Sequence, residues 1–205
     1  MDVGKLPNHV NIVLCMDCFF GVYFLYFFVS HKLGIRFNSL HKLNSNGSSM
    51  GNPGSAKVGG HISDANESWV SGYARAIGYT SCVAIELWAL RDGINLCISL
   101  KHHAVVIELD AKLVVDLLSK TTRSSNAIDI IVADYKEGLK KIPMTTVQHC
   151  YRKANKCADA LARREALLPQ DFVIFQEPPT EVSFLLSLDS TDVLYDRFVS
   201  FFKPF

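Results

Sequence analysis

Neither sign of charge is in excess in this sequence: the 205 residues include 21 Lys or Arg and 20 Asp or Glu, a formal net charge of +1. Nucleic-acid binding therefore cannot be argued from total charge and requires a local basic patch. Cysteine is also scarce, and six residues spread along the chain exclude a disulfide-stabilised scaffold. Cys15 and Cys18 have the spacing of half a zinc motif, but no second pair of ligands follows nearby.

Hydrophobic residues make up 49% of the chain and charged residues 20%, which predicts a packed core. We expect an N-terminal hydrophobic extension at 1–34, a globular domain at 35–168 and a C-terminal tail at 169–205. Residues 12–29 form an apolar run broken by Asp17, close to the length of about 20 residues that spans a bilayer. Three interpretations of this run stay open: a leader outside the domain, a membrane anchor or signal, and a packed element.

The first half of the domain has the pattern of three strands. "GIRFNSLHKLNS" predicts a first strand that ends near Ser45, and the turn residues of "MGNPGSA" follow it. "KVGGHISD" and "SWVSGYARAIG" predict the second and third strands, joined by the short polar linker "DANE". Because the connections are short, these strands should form an antiparallel meander.

The pattern then changes to helical spacing. Ser81 to Leu100 predicts a helix that Ser81 or Thr80 could cap, and "AVVIELD" predicts a buried parallel strand. "AKLVVDLLSK" and residues 128–141 predict two helices, "TTVQHCYR" a strand and "KANKCADALARREAL" a final amphipathic helix. This order predicts an α/β fold with one mixed five-stranded sheet, three strands antiparallel and two parallel, flanked by helices. The tail beyond Leu168 mixes proline with apolar residues, and we expect it to lie outside the sheet.

Three acidic residues lie beside stretches that should be buried: Glu86 in "VAIELWAL", Asp110 after "VVIEL" and Asp159 in "CADALAR". A buried charge is costly unless it is paired or metal-bound. Taken singly, each has an ordinary explanation, such as a helix cap at Asp110. Taken together with the order of the elements, they indicate a divalent-metal site near the end of the first strand.

From about Arg36 to Leu167 the chain resembles a type 1 ribonuclease H domain, and within that family the plant group related to the reverse transcriptases of non-LTR retroelements. The segments that carry the resemblance are "LNSNGSSMGNPGSAKVGG", "AIELWALRDGI", "VIELDAK" and "HCYRKANKCADALA", with support from "DFVIFQEPP" in the tail. The resemblance implies the ribonuclease H fold and Mg²⁺-dependent cleavage of the RNA strand of RNA–DNA hybrids.

The resemblance also implies roles for individual residues. Glu86, Asp110 and Asp159 match three of the four carboxylates that hold two Mg²⁺ ions, and His149 matches a mobile histidine that assists proton transfer or product release. Asn46 stands where the first acid is expected. An amide offers one neutral acceptor and a nitrogen that repels a cation, so we predict a weakened or single Mg²⁺ site and severely reduced or absent hydrolysis.

The resemblance implies nucleic acid, specifically an RNA–DNA hybrid, as the partner, and no small-molecule cofactor. Between Asp134 and Arg164 the chain has eight Lys or Arg residues and three acidic residues. Two interpretations of this basic stretch stay open: a surface that contacts phosphates, or ordinary solvated helix faces. The expected contact residues are Gly47, Ser48, Asn52, Asn155, Arg152 and Lys156, and Asn155 matches a polar residue that supports nucleic-acid or active-site contacts.

Two functions stay open on this sequence: a hybrid-cleaving enzyme, and a non-catalytic nucleic-acid-binding protein or retroelement remnant. The three retained acids favour the enzyme, and Asn46 favours the binding protein. We expect a monomer. By resemblance the location is nuclear or cytoplasmic, with a membrane involved only through residues 12–29.

Overall fold

The structure is a computed structural model of the full chain, and it describes residues 12–13, 39–119, 127–164 and 172–188. A single seven-stranded sheet organises these residues, with the strand order β1-β6-β5-β2-β3-β4-β7. The strands are β1 (Ile12–Val13), β2 (Leu40–Gly51), β3 (Gly54–Asp64), β4 (Trp69–Thr80), β5 (Ala104–Leu109), β6 (Met144–His149) and β7 (Val173–Phe175). The helices are α1 (Cys82–Ser99), α2 (Lys112–Ser119), α3 (Ala127–Leu139) and α4 (Lys156–Arg163), and a 3-10 turn covers Arg152–Asn155.

The antiparallel meander predicted from the sequence is present as β2, β3 and β4. The predicted end of the first strand near Ser45 is wrong, because β2 stays paired with β3 as far as Gly51 opposite Gly54. Only Asn52 and Pro53 are left for the turn, so Asn46 lies in the middle of β2 and not at its end. The small residues that suggested a loop are accommodated within a strand because β3 satisfies their backbone hydrogen bonds.

The second half also follows the predicted order of helices and strands. Ser81 is the N-cap of α1, and its hydroxyl accepts a hydrogen bond from the backbone N–H of Ala84 at 3.4 Å. The β-branched run of β5 is buried along its whole length between β2 and β6, and it is parallel to both. A strand buried on both faces favours apolar residues at successive positions, which explains the absence of alternation from Ala104 to Ile107.

Two short strands extend the predicted five. β7 pairs antiparallel with β4, so the expectation that the tail lies outside the sheet is wrong. β1 pairs parallel with β6 at the opposite edge. Both pairings depend on contacts with strands distant in the sequence, and "VIF" and "IV" are too short to show periodicity. The division into extension, domain and tail stays a prediction.

Apart from Ile12 and Val13, the apolar run at 12–29 lies outside the described residues. Within the part of the chain that the structure describes, no helix is long and apolar enough to cross a membrane.

The two faces of the sheet are covered differently. Side chains of α1, α2 and α3 pack on one face with Leu43, Ile62 and Tyr73 in the main hydrophobic core. Helix α4 packs on the other face, here called the α4 face, against β2 and β3. A Cβ atom on Gly59 would lie 2.3 Å from the backbone nitrogen of Ala162, so α4 approaches β3 more closely than any side chain would permit. Asn46 is the register partner of Gly59 and therefore faces the same helix.

Candidate active site

Asn46 lies at the centre of the candidate site. Its side chain is 3% exposed on the α4 face of β2. The amide nitrogen donates a hydrogen bond to Oδ1 of Asp159 in α4 at 2.8 Å. The position expected to carry the first acid thus holds a hydrogen-bond donor, and that donor is directed at one of the remaining carboxylates.

The other two acids are linked to the neighbours of Asn46 in β2. The backbone N–H of Gly47 donates to Oε2 of Glu86 at 3.1 Å. The side-chain amide of Asn155 donates to Oδ1 of Asp110 at 3.3 Å and to the backbone carbonyl of Ser45 at 3.0 Å. Three consecutive residues of β2 therefore connect to three acids that come from α1, the end of β5 and α4, and the structure brings the predicted acids together.

The electrostatic effect of this clustering is visible at Glu86. Burial, reinforced by the negative charges of Asp110 and Asp159, raises the pKa of its carboxyl to about 8. The N–H of Gly47 and the guanidinium of Arg152 oppose this rise. The negative charges of Asp110 and Asp159 therefore act on the same carboxyl, in agreement with the hydrogen bonds that connect all three acids to consecutive residues of β2.

This raised pKa predicts a pH-dependent stability. The unfolded chain releases the Glu86 proton near the ordinary value of 4.5, whereas the folded chain retains it to about pH 8. The contribution of Glu86 is therefore complete below pH 4.5 and is lost as the pH rises to about 8, at no more than about 1.4 kcal/mol per pH unit. We expect Glu86→Gln to flatten the fall in unfolding free energy across this window, as measured by urea denaturation at several pH values. An equally steep fall in Glu86→Gln and in the natural chain would contradict the assignment.

Asp159 has a second partner that the sequence analysis did not identify. The Nε–H of Arg163 donates to the same Oδ1 atom that accepts from Asn46, at 3.0 Å. Its position one helical turn after Asp159 is the signal that could have revealed it, since residues four apart are neighbours on a helix. A guanidinium and an amide therefore both bind Oδ1, one of the two oxygens that Asp159 could offer to a metal ion.

A centre that holds two metal ions requires several ligand atoms with free lone pairs around each ion. No group of three or more His, Cys, Asp or Glu side chains within the described ranges is arranged to hold a metal ion. The central position supplies an N–H where a bridging ligand must supply a lone pair. The residues present therefore do not fit a two-ion centre.

His149 is the last residue of β6 and the register partner of Leu109, which directly precedes Asp110. Its ring contacts Tyr151 in an edge arrangement, with 5.9 Å between ring centroids. This places His149 at the same end of the parallel strands as the acids. Its role in proton transfer or product release stays a prediction.

The predicted nucleic-acid contacts differ in their surroundings. A Cβ on Gly47 would lie 2.3 Å from a methyl group of Ile85, so glycine is required there by packing against α1. Asn52 is exposed, but its side-chain oxygen accepts a hydrogen bond from the N–H of Cys82 at the start of α1. Ser48 is partly exposed within β2.

The three remaining contact residues lie near the start of α4. Asn155 is 0% exposed, and its predicted support of nucleic-acid or active-site contacts stays a prediction. A side-chain amide that joins Ser45 to Asp110 has a supporting role inside the site. Arg152 is exposed and Lys156 partly exposed, and both are accessible to a partner.

A second polar layer lies beneath the acids. Glu108 is buried and accepts hydrogen bonds from the amides of Asn44 at 3.0 Å and Gln148 at 2.9 Å. Asn44 and Glu108 precede Asn46 and Asp110 by two positions, and residues two apart in a strand point to the same face. That spacing of two residues is the sequence signal that could have predicted this layer. Its hydrogen bonds connect β2, β5 and β6 directly below the site.

Comparison with known proteins identifies the family. A family model described as "Reverse transcriptase-like" matches residues 44–165, more than half of the chain. The chain belongs to this reverse transcriptase-like family. The match covers every site residue discussed above and confirms the resemblance stated from the sequence.

Relatives of this reverse transcriptase-like domain include ribonuclease H proteins. The chain is 32% identical over 149 residues to an Arabidopsis thaliana protein named "Putative ribonuclease H protein At1g65750". The match covers 73% of the chain but 24% of that relative, so the chain spans about a quarter of its length.

Solved structures confirm the ribonuclease H fold. The N-terminal RNase H domain of Rv2228c from Mycobacterium tuberculosis has a TM-score of 0.56 at 22% identity, covering 60% of this chain and 95% of that one. RNase H1 from the archaeon Halobacterium salinarum has a TM-score of 0.57 at 23% identity, covering 60% and 94%. LC11-RNase H1, solved in complex with an RNA/DNA hybrid, has a TM-score of 0.55 at 20% identity, covering 59% and 92%.

Proposed function

We propose that this chain is a ribonuclease H type 1-like domain that binds RNA–DNA hybrids and cleaves them far more slowly than a domain with four site carboxylates. The observation that carries this proposal is the hydrogen bond from the amide of Asn46 to Asp159. The family match and the RNA/DNA hybrid in the LC11-RNase H1 structure support the choice of substrate.

The binding part of the proposal depends on residues outside the acid cluster. Arg152 and Lys153 are exposed beside the site, and they belong to the basic stretch between Asp134 and Arg164. Clustered cations bind phosphates by releasing counterions, which makes the affinity salt-dependent. Binding requires these cations and not the missing acid, so it can persist where hydrolysis is lost.

The cofactor part of the proposal is limited by the donor set. Glu86, Asp110 and Asp159 supply carboxylate oxygens, the ligands that Mg²⁺ prefers. Without a fourth carboxylate at position 46, we propose one weak Mg²⁺ site at most. A divalent metal of this kind supplies positive charge at the reacting phosphate when it is bound.

A binding and cleavage assay on the full chain tests this function. We expect a fluorescently labelled RNA–DNA hybrid to bind in EDTA as well as in Mg²⁺, with an affinity that falls as salt rises, and to remain largely uncut in Mg²⁺. Fluorescence anisotropy measures binding and a denaturing gel measures cleavage. Asp110→Asn is the matched control, because it removes an acid without changing the side-chain shape. Absence of binding at low salt would contradict the proposed partner, and rapid cleavage that Asp110→Asn abolishes would contradict the proposed loss of activity.

The alternative is a protein with no remaining hydrolysis that only binds nucleic acid, including a retroelement remnant. This alternative is favoured by the hydrogen bonds that Asp159 already accepts from the amide of Asn46 and the guanidinium of Arg163. Any Mg²⁺-dependent, Asp110-dependent cleavage in the assay above would exclude this alternative.

A further inference from the structure

The turn between β6 and α4, residues 150–155, is anchored at both ends and exposed between them. The N–H of Cys150 donates to the carbonyl of Leu109 at 2.8 Å, which holds the start of the turn against β5. Asn155 holds its end against β2 and Asp110. Residues 151–154 are all exposed, although the residues on either side of them are buried. The turn is therefore a fixed projection at the end of the parallel strands.

The exposed residues of this turn combine an aromatic ring with two cations. Tyr151 is 71% exposed, and Arg152 and Lys153 follow it directly. The ring of His149 contacts the ring of Tyr151 at an interplanar angle of 77°. This contact restricts the orientation of the tyrosine ring from one side. Aromatic rings flanked by Lys or Arg are the groups with which proteins hold single-stranded nucleic acid, because every base offers a π-face for stacking.

The position of the turn places this group beside the acid cluster. The guanidinium of Arg152 is close enough to Glu86 to act on its carboxyl, and Asn155 contacts Asp110 directly. A nucleic-acid strand that reaches the acids from this side passes Tyr151. Bases inside a hybrid already stack on their neighbours, so an aromatic side chain can stack fully only on a base that is unpaired.

We infer that Tyr151 is a stacking site for an unpaired base, with Arg152 and Lys153 on the adjacent phosphates, and that the chain therefore prefers hybrids with a single-stranded extension. This inference rests on the proposed function and specifies the form of its nucleic-acid partner. It assigns a role to Tyr151, a residue outside the acid cluster and outside the predicted contacts.

The test compares a blunt hybrid with overhang hybrids, using four versions of the full chain and fluorescence anisotropy in EDTA. The substrates are a blunt RNA–DNA hybrid and the same hybrid with a short overhang of unpaired RNA, made once for each end. The natural chain should bind one of the overhang substrates more tightly than the blunt hybrid. Tyr151→Ala should weaken that overhang binding by roughly tenfold or more, with little change for the blunt hybrid. Tyr151→Phe should keep the preference, because the ring is retained.

Phe184→Ala is the matched control, since Phe184 is a second exposed aromatic residue, 63% exposed, in the helical segment 180–188. It should leave both affinities unchanged. An overhang preference that survives in Tyr151→Ala, or the absence of any preference in the natural chain, would overturn the inference while leaving hybrid binding intact. Failure of the natural chain to bind either substrate would overturn the proposed function itself.

Discussion

Asn46→Asp is expected to raise the rate of Mg²⁺-dependent hybrid cleavage on the order of 100-fold or more. The substitution restores a carboxylate at the position that lies 2.8 Å from Asp159 and between the elements that carry Glu86 and Asp110. Charge stabilisation by a bound metal is worth several kcal/mol, and about 3 kcal/mol corresponds to roughly a 100-fold change in rate. The change is nearly isosteric, so its effect should come from charge and not from packing.

The same substitution should make stability depend on Mg²⁺. In the natural chain the amide N–H of Asn46 stabilises the negative charge of Asp159 by donating a hydrogen bond to it. Replacing the amide with a carboxylate puts two acids at hydrogen-bond distance, and Arg163, which already pairs with Asp159, offsets only one of their two charges. Asn46→Asp should therefore melt at a lower temperature than the natural chain in EDTA and regain stability as Mg²⁺ is added.

Cleavage of a labelled hybrid and thermal unfolding measured side by side test both expectations. The double substitution Asn46→Asp with Asp110→Asn is the control, and it should lose the gain in cleavage because it again has three acids. Equal cleavage rates for Asn46→Asp and the natural chain would show that the amide is not what limits hydrolysis. If the melting temperature of Asn46→Asp did not change with Mg²⁺ concentration, the restored acid would not bind a cation together with the other acids.

Gly59→Ala is expected to lower the free energy of unfolding by about 3 kcal/mol and the melting temperature by roughly 6–12 °C. The added methyl group would lie 2.3 Å from the backbone nitrogen of Ala162 and 2.6 Å from the backbone carbon of Leu161. Both atoms belong to the backbone of α4, so no side-chain rotation can relieve the clash. The helix must move away from the sheet, and it carries Asp159 with it.

Gly138→Ala is the matched control, because the nearest atom to the added methyl group is a side-chain methyl of Ile94 at 3.0 Å, which can shift. Alanine is also the better helix former, so the net change should stay within about 1 kcal/mol. Chemical denaturation of the two variants beside the natural chain measures the difference. If Gly59→Ala were as stable as Gly138→Ala, the close packing of α4 on β3 would be refuted.

Much of the fold was predictable because the patterns that specify it are local. Two runs separated by a short polar linker predicted β3 and β4, and helical spacing with Ser81 or Thr80 as the cap predicted α1 within one residue of its observed start. The β-branched run before Asp110 predicted a buried parallel strand, which β5 confirms. The end of β2 was missed because Gly and Ser favour turns on their own, and only pairing with β3 keeps them extended.

The amino-acid sequence by itself determined the order of helices and strands, the family, and the chemical fact that position 46 carries an amide. These three results depend on residue identity and on periods of two or about four residues, and such signals can be read within a short segment of the chain. Only the tertiary structure decided that the amide of Asn46 donates to Asp159 and that Val173–Phe175 joins the sheet. It also decided that Asn155 is buried, where its amide joins Ser45 to Asp110. Asn46 and Asp159 are 113 positions apart, and a contact across that separation forms only when α4 packs against β3, which leaves no periodic trace in the sequence.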